Sequence, residues 1–362
     1  MPNLETTPEL KTSNPYRRFL KIFLQIVVMV AIFAALLWYV GIGSLYDALL
    51  TIKVEYLVLA FLMYFGINLL FTFRLRRVLG KDGVKTSFGK TLLAQFAGML
   101  TSDVTPGRSG YILTPVYLRD QNVPASKGLS TILGIQTIEF LVKVVGGVGA
   151  VIYLVTFVPT ETWNQLFPQA FLGVNLGIIV AALGITLMLV GAIVLALFTW
   201  SKRAISLFDK IANSRYLRRF TGGLMGKLEE YKESSHSTRN AIPEIIVLTF
   251  ACWILKGFEW YFLGLALGIT QVSWIAFFLI HPLVTALAFV PLTPAGAGVQ
   301  EFGIIGILGL LGVAVGPAGA FALLARGLLI FMDFIGIPQI VKSTSLVFSR
   351  KKPLETPLPP SP

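Results

Sequence analysis

Long apolar stretches separated by short polar clusters dominate the chain. A helix needs about 20 apolar residues to cross a hydrocarbon core roughly 30 Å thick. Six runs reach that length, at about 19–41, 54–73, 126–157, 170–200, 243–268 and 318–341. Two further apolar regions, about 88–118 and 272–315, are interrupted. In the first, Thr91 to Leu100 gives way to the polar stretch Thr101 to Gly110, and only Tyr111 to Leu118 follows before Arg119. The second carries Pro282 in its first limb and Thr293-Pro294-Ala295-Gly296-Ala297-Gly298 in its middle. Proline removes a backbone donor and glycine weakens a helix, so each region reads as two limbs around a break.

The basic residues orient these pieces, because cytoplasmic loops of membrane proteins collect Lys and Arg. Lys11, Arg17, Arg18 and Lys21 precede the first run, and six more lie in the 74–90 loop, beginning at Arg74. The 201–240 loop and the segment after Lys342 are also basic, whereas Val158 to Gln169 contains no Lys or Arg. The 74–90 loop is therefore expected inside and the 158–169 loop outside. One crossing by 126–157 satisfies that parity if the 88–118 region enters and returns on the cytoplasmic side. The 272–315 region then starts and ends outside, and both termini are cytoplasmic. Only Lys53, Lys143, Lys256 and Arg326 fall outside the segments this topology places at the cytoplasmic face.

The same order of elements thus occurs twice with opposite orientation. Thr105-Pro106-x-x-x-Gly110 marks the first break and Thr293-Pro294-x-x-x-Gly298 the second. Paired Gly/Pro-interrupted segments in inverted halves point to a transporter site near the midplane. The expected fold is an all-α polytopic membrane protein with six full spans and two broken re-entrant hairpins. Its parts are an N-terminal tail (1–18), a first half (19–165), a second half (166–342) and a Pro-rich tail expected to be disordered (343–362).

Composition agrees with this reading. Hydrophobic residues make up 55% of the 362 and charged residues 13%, too few charges to cover a soluble surface. The net charge of +12 is assigned to loops on an anionic leaflet and not to a nucleic-acid partner. In the 201–240 loop, Ile205, Leu207, Phe208 and Ile211 interleave with basic residues, fitting either a surface-lying amphipathic helix or a solvated connector. Cys252 is the one cysteine and allows no intrachain disulfide. The first apolar run is too long for a cleavable signal, so it reads as a retained span in the plasma membrane.

Charges inside membrane spans are costly and mark function. Glu139 and Lys143 are four apart on one helix face, Lys256 and Glu259 three apart, and Arg326 and Asp333 seven apart. Arg108 either contacts a lipid phosphate or pairs with Asp103. Glu301 either caps the limb beginning near Val299 or partners Arg326 across the bundle. Broken helices leave free amides that favour an anion at such an N-terminus. His281, before Pro282, reads as a packing residue. Its alternative is an intramembrane serine protease, through the weak G-x-S-G match at Gly107 to Gly110. No P-loop, H-E-x-x-H or Cys–His cluster occurs, so neither ATP hydrolysis nor a cofactor is expected.

The stretch from Val290 to Glu301 resembles the proline, Thr-Pro, glycine-rich and terminal-glutamate signature of the lysylphosphatidylglycerol synthase transmembrane region, a flippase-like family. Leu310 to Gly312, Arg326 and the Thr105-Pro106-Gly107-Arg108-x-Gly110 motif are also similar to that family. Departures are Tyr111 where the family places a glutamate, Ala295 where it places a glycine, and Gln136-Thr137 or Glu139-Phe140 where it has a Glu-Arg pair. The family's aminoacyl-transfer domain is soluble, and nothing in this chain is expected to hold it. The resemblance therefore implies lipid translocation and not an enzyme. The lipid would be phosphate-bearing and bound by Arg108, Gly110, Gly296, Gly298, Glu301 and Arg326. Asp103, Glu139, Lys143 and Asp333 would serve the path or coupling. A soluble-anion transporter is the main alternative, and homo-oligomerisation is left open.

Overall fold

A computed structural model describes residues 31, 34–105, 107–167, 174–201, 231, 233–235, 238–288, 293 and 296–349. Among these, every regular element is helical. We number the helices α1 (Ile42–Leu50), α2 (Val54–Lys81), α3 (Phe88–Asp103), α4 (Thr114–Tyr117), α5 (Ala125–Phe157), α6 (Thr160–Leu166), α7 (Leu176–Trp200) and α8 (Ile242–Ala266). There follow α9 (Trp274–Ala288), α10 (Val299–Leu310), α11 (Val315–Asp333) and α12 (Ile337–Ser349).

Five segments are long and apolar enough to cross a membrane: Val54–Lys81, Ala125–Phe157, Leu176–Leu197, Ile242–Ala266 and Val315–Ser343. They correspond to five of the six expected runs. Most of the sixth, at 19–41, lies outside the described residues, as do the 1–18 tail and most of the 201–240 loop. Residues 34–40 are helical, and Gly41 (φ 80°) turns the chain into α1.

Two boundaries differ from the sequence expectation. The last run is not one helix. A 3-10 turn, Phe334–Gly336, separates α11 from α12, because the ring of Pro338 would clash with the carbonyl of residue 334 in a continuous helix. Gly336 is also where the chain touches α3: a Cβ there would lie 2.2 Å from the Ala97 amide nitrogen. At the other end, α12 continues to Ser349, past the expected start of a disordered tail at 343. Leu346, Val347 and Phe348 prolong the apolar pattern, and no Pro or Gly intervenes before Pro353. Residues 350–362 lie outside the described residues.

The interrupted regions are indeed two limbs around a break. In the first, α3 ends at Asp103 and is followed by a 3-10 stretch, Ser109–Leu113, and the single-turn α4. In the second, α9 and α10 flank the turn containing Thr293 and Gly296 to Gly298. Pro282 lies inside α9. It cannot donate to the Phe278 carbonyl, which instead accepts from Trp253 Nε1 at 2.6 Å.

Packing follows the doubled order of elements. The second helices of the two halves, α2 and α8, pack on each other along their length. The closing helix of the first half, α5, packs on the first limb of the second break, α9. Reciprocally, α11 and its 3-10 extension pack on α3, the first limb of the first break. Likewise α5 meets α7, which opens the second half, and α11 meets α1 near the opening of the first. At that last contact a Cβ on Gly316 would lie 3.0 Å from the Ser44 side chain. Each break is thereby held against the other half, so the two breaks face a shared interior.

Candidate functional site

The first turn is closed by its own short polar side chains. Thr105 Oγ1 accepts from the Gly110 amide at 2.7 Å and donates to the Thr101 carbonyl at 3.0 Å. Ser102 Oγ donates to the Arg108 carbonyl at 3.2 Å. Arg108 takes a left-handed backbone (φ 55°), uncommon for a residue with a side chain, and its Nη2 approaches Asp103 Oδ1 at 3.5 Å. At the second turn the matching threonine, Thr293, donates to the Ala297 carbonyl at 2.7 Å. Gly298 (φ 87°) caps α10, and its amide donates to Glu301 Oε2 at 2.5 Å. The other carboxylate oxygen, Oε1, accepts from Arg326 Nε, and Gln300 Oε1 accepts from Arg326 Nη2 at 3.1 Å. Glu301 therefore does both things that the sequence left as alternatives.

Between the turns lies a cavity of about 120 Å³, room for several waters by the usual measure. Asp103, Arg108, Glu139, Lys143, Glu301, Arg326 and Asp333 all line it. Residues named from four separate stretches of sequence thus meet at one place. Gly110, Gly296 and Gly298 do not line the cavity. They lie in the turns behind these side chains, and a Cβ on Gly110 would sit 2.2 Å from the Thr101 carbonyl oxygen.

Buried charges are tolerable only when paired and hydrogen-bonded. Glu139 accepts from Lys143 at 2.7 Å, the expected i,i+4 pair, and also from Arg74 at 2.9 Å. Lys256 lies 2.6 Å from Glu259 and over the Tyr64 ring, 4.8 Å from its centroid. Tyr64 donates to both oxygens of Asp333, at 3.0 and 3.1 Å. Asp333 is fully buried, and among the described residues it has no cation within ion-pair distance. Arg108 Nε is a buried donor with no acceptor among the described residues. His281 faces Trp260 edge-on and meets Thr285 Oγ1 at 3.3 Å. Ser109 is exposed and is not among the cavity-lining residues.

Arg74 and Tyr64 carry site chemistry that the sequence reading did not assign. Arg74 was placed in a cytoplasmic loop, yet it is 1% exposed, stacks over Phe71 and donates to Thr249 at 2.6 Å as well as to Glu139. The signal was present in Leu75, Val78 and Leu79, which continue an i, i+3, i+4 apolar stripe past the charge and carry α2 on to Lys81.

The model of the family described as the lysylphosphatidylglycerol synthase TM region matches residues 22–336, nearly the whole chain. The chain belongs to that family. A UPF0104 membrane protein of Pyrococcus horikoshii is 22% identical over 352 residues, covering 92% of this chain and 98% of that protein. A second, from Methanocaldococcus jannaschii, is 38% identical over 87 residues, or 24% of this chain and 35% of its own length. As a member of the lysylphosphatidylglycerol synthase transmembrane-region family with five helical segments long and apolar enough to cross a bilayer, the protein is an integral membrane protein. Both stretches that resemble the family's motifs form the turns that bound the cavity.

Proposed function

We propose that the protein is a flippase-like translocase that carries a phosphate-bearing lipid headgroup across the plasma membrane while the acyl chains stay in the bilayer. One observation carries the reading: Asp103 and Arg108 of the first break and Glu301 of the second line one cavity together with Arg326 and Asp333. Lys143 and Lys256 lie near the middles of α5 and α8, the depth at which an ionised headgroup meets its largest desolvation cost. Arg326, held in place by Glu301 and Gln300, and Arg108, with its unused Nε donor, would compensate the phosphate.

Limb lengths support two re-entrant hairpins. At 1.5 Å per residue, α3 and α10 measure about 24 and 18 Å, short of a core roughly 30 Å thick. Irregular backbone at that depth is tolerated where it lines a polar cavity. With the charge pattern, this gives two inverted halves, cytoplasmic termini and α6 outside. Glu161→Cys, exposed on α6, should react with an impermeant maleimide added to intact cells; reaction only after lysis would reverse the topology.

The function is read with purified protein in liposomes containing acyl-labelled phosphatidylglycerol, using dithionite to count label in the outer leaflet. Protein-dependent movement of the lipid, without uptake of inorganic phosphate, is the expected result. Phosphate uptake with an immobile lipid would replace this reading with a soluble-anion transporter.

A further inference from the structure

Asp103 ends α3 and Asp333 ends α11, so the two carboxyl groups close the contact between the first break and the last membrane helix. They lie within hydrogen-bonding reach of each other. Asp333 is fully buried and the Asp103 side chain is 4% exposed. Among the described residues, the one cation within ion-pair distance of either is Arg108, at 3.5 Å from Asp103 Oδ1. Asp103 Oδ2 is buried and has no donor among the described residues. Two buried carboxyl groups this close, facing one guanidinium, repel each other when both are ionised, and a proton shared between them removes that repulsion.

The surroundings fit that count. Tyr64 of α2 donates to Asp333 and has no proton-accepting role in the pair. Lys256 of α8 is taken by Glu259, and Arg326 of α11 by Glu301 of α10. Glu139 of α5 already holds Lys143 and Arg74. His281 of α9 meets Thr285. Among the described residues, no second cation lies within ion-pair distance of either carboxyl group.

We propose that Asp103 and Asp333 hold one exchangeable proton between them and that this proton is the coupling ion of translocation. This inference rests on the translocase reading. The proton binds from one side and leaves to the other, with no change of covalent bonding elsewhere. With the proton bound, the pair joins α3 to α11 beside the Gly336–Ala97 backbone contact. Without it, two facing negative charges drive the first hairpin and the last helix apart, and the cavity changes the face to which it opens.

Two measurements test this. Infrared difference spectra of the protein in lipid nanodiscs, taken across a pH titration, should contain the carbonyl band of a protonated carboxyl group. That band should be absent from Asp333→Asn, which leaves Asp103 beside Arg108, and shifted in Asp103→Asn, where Asp333 holds the proton alone. In proteoliposomes with the membrane potential clamped to zero, one proton per lipid and a gradient of about one pH unit should give roughly tenfold leaflet asymmetry of acyl-labelled phosphatidylglycerol. Either variant, if monodisperse on size exclusion, should leave the leaflets equal. A wild-type protein without the band, or a folded variant that keeps the asymmetry, overturns the proposal. Wild-type lipid movement indifferent to the gradient overturns the coupling and leaves the translocase standing. A wild-type protein that moves no lipid under any condition removes the translocase, and the coupling with it, while the band still reports the shared proton.

Discussion

Arg326→Ala should slow protein-dependent movement of acyl-labelled phosphatidylglycerol roughly 30- to 150-fold, the equivalent of about 2–3 kcal/mol for a lost charge-assisted contact. The expectation follows from how Arg326 is held. Its Nε is fixed by Glu301 Oε1 and its Nη2 by Gln300, so the guanidinium enters the cavity as an oriented fork. Because Glu301 also caps α10 through the Gly298 amide, the position of the arginine is tied to the geometry of the second turn. Arg326→Lys keeps the charge and loses the fork, and it should recover part of the rate. The alanine variant leaves Glu301 buried with its cap alone, so size exclusion and thermal melting must accompany the rate. A well-folded Arg326→Ala protein with wild-type lipid movement would remove Arg326 from the site.

That tie between turn and side chain explains what could be read in the sequence. Spans are legible because a hydrocarbon core demands about 20 apolar residues in a row, whatever the tertiary packing. The breaks are legible because Pro282, Thr293-Pro294 and the glycines around them are incompatible with a regular helix. Pairs on one helix, such as Glu139 with Lys143, follow from spacing alone. Contacts between helices do not. Nothing in the apolar run holding Tyr64 marks it as the partner of Asp333, 269 residues away. The proximity of Asp103 to Asp333 arises only when Gly336 lets the last helix touch α3. Arg74 is hidden for a different reason: its charge resembles the end of a span, although the apolar stripe continues beyond it. A cation that finds Glu139 and Thr249 inside the bundle is no boundary.

The second large effect concerns that cation. Glu139→Ala should destabilise the protein by about 3–5 kcal/mol, because it removes the carboxylate that buried Arg74 and half-buried Lys143 share. Arg74 would keep only Thr249 and the Phe71 ring, and Lys143 would lose its carboxylate at 2.7 Å. Melting in nanodiscs would show the loss, and a melting point equal to that of the wild type would mean the triad is already solvated. Stability and transport can then be separated. Replacing all three charges together, Arg74→Met, Glu139→Leu and Lys143→Met, removes the ions and their desolvation cost alike. Such a swap is commonly neutral or stabilising, so the triple variant should melt close to the wild type. Its lipid movement should nevertheless fall more than about tenfold, since Glu139 and Lys143 line the cavity and an apolar wall raises the cost of a headgroup at mid-span. Restored stability with unimpaired transport would make the triad a fastener of α2 to α5 and place the headgroup path elsewhere, nearer Arg108 and Arg326.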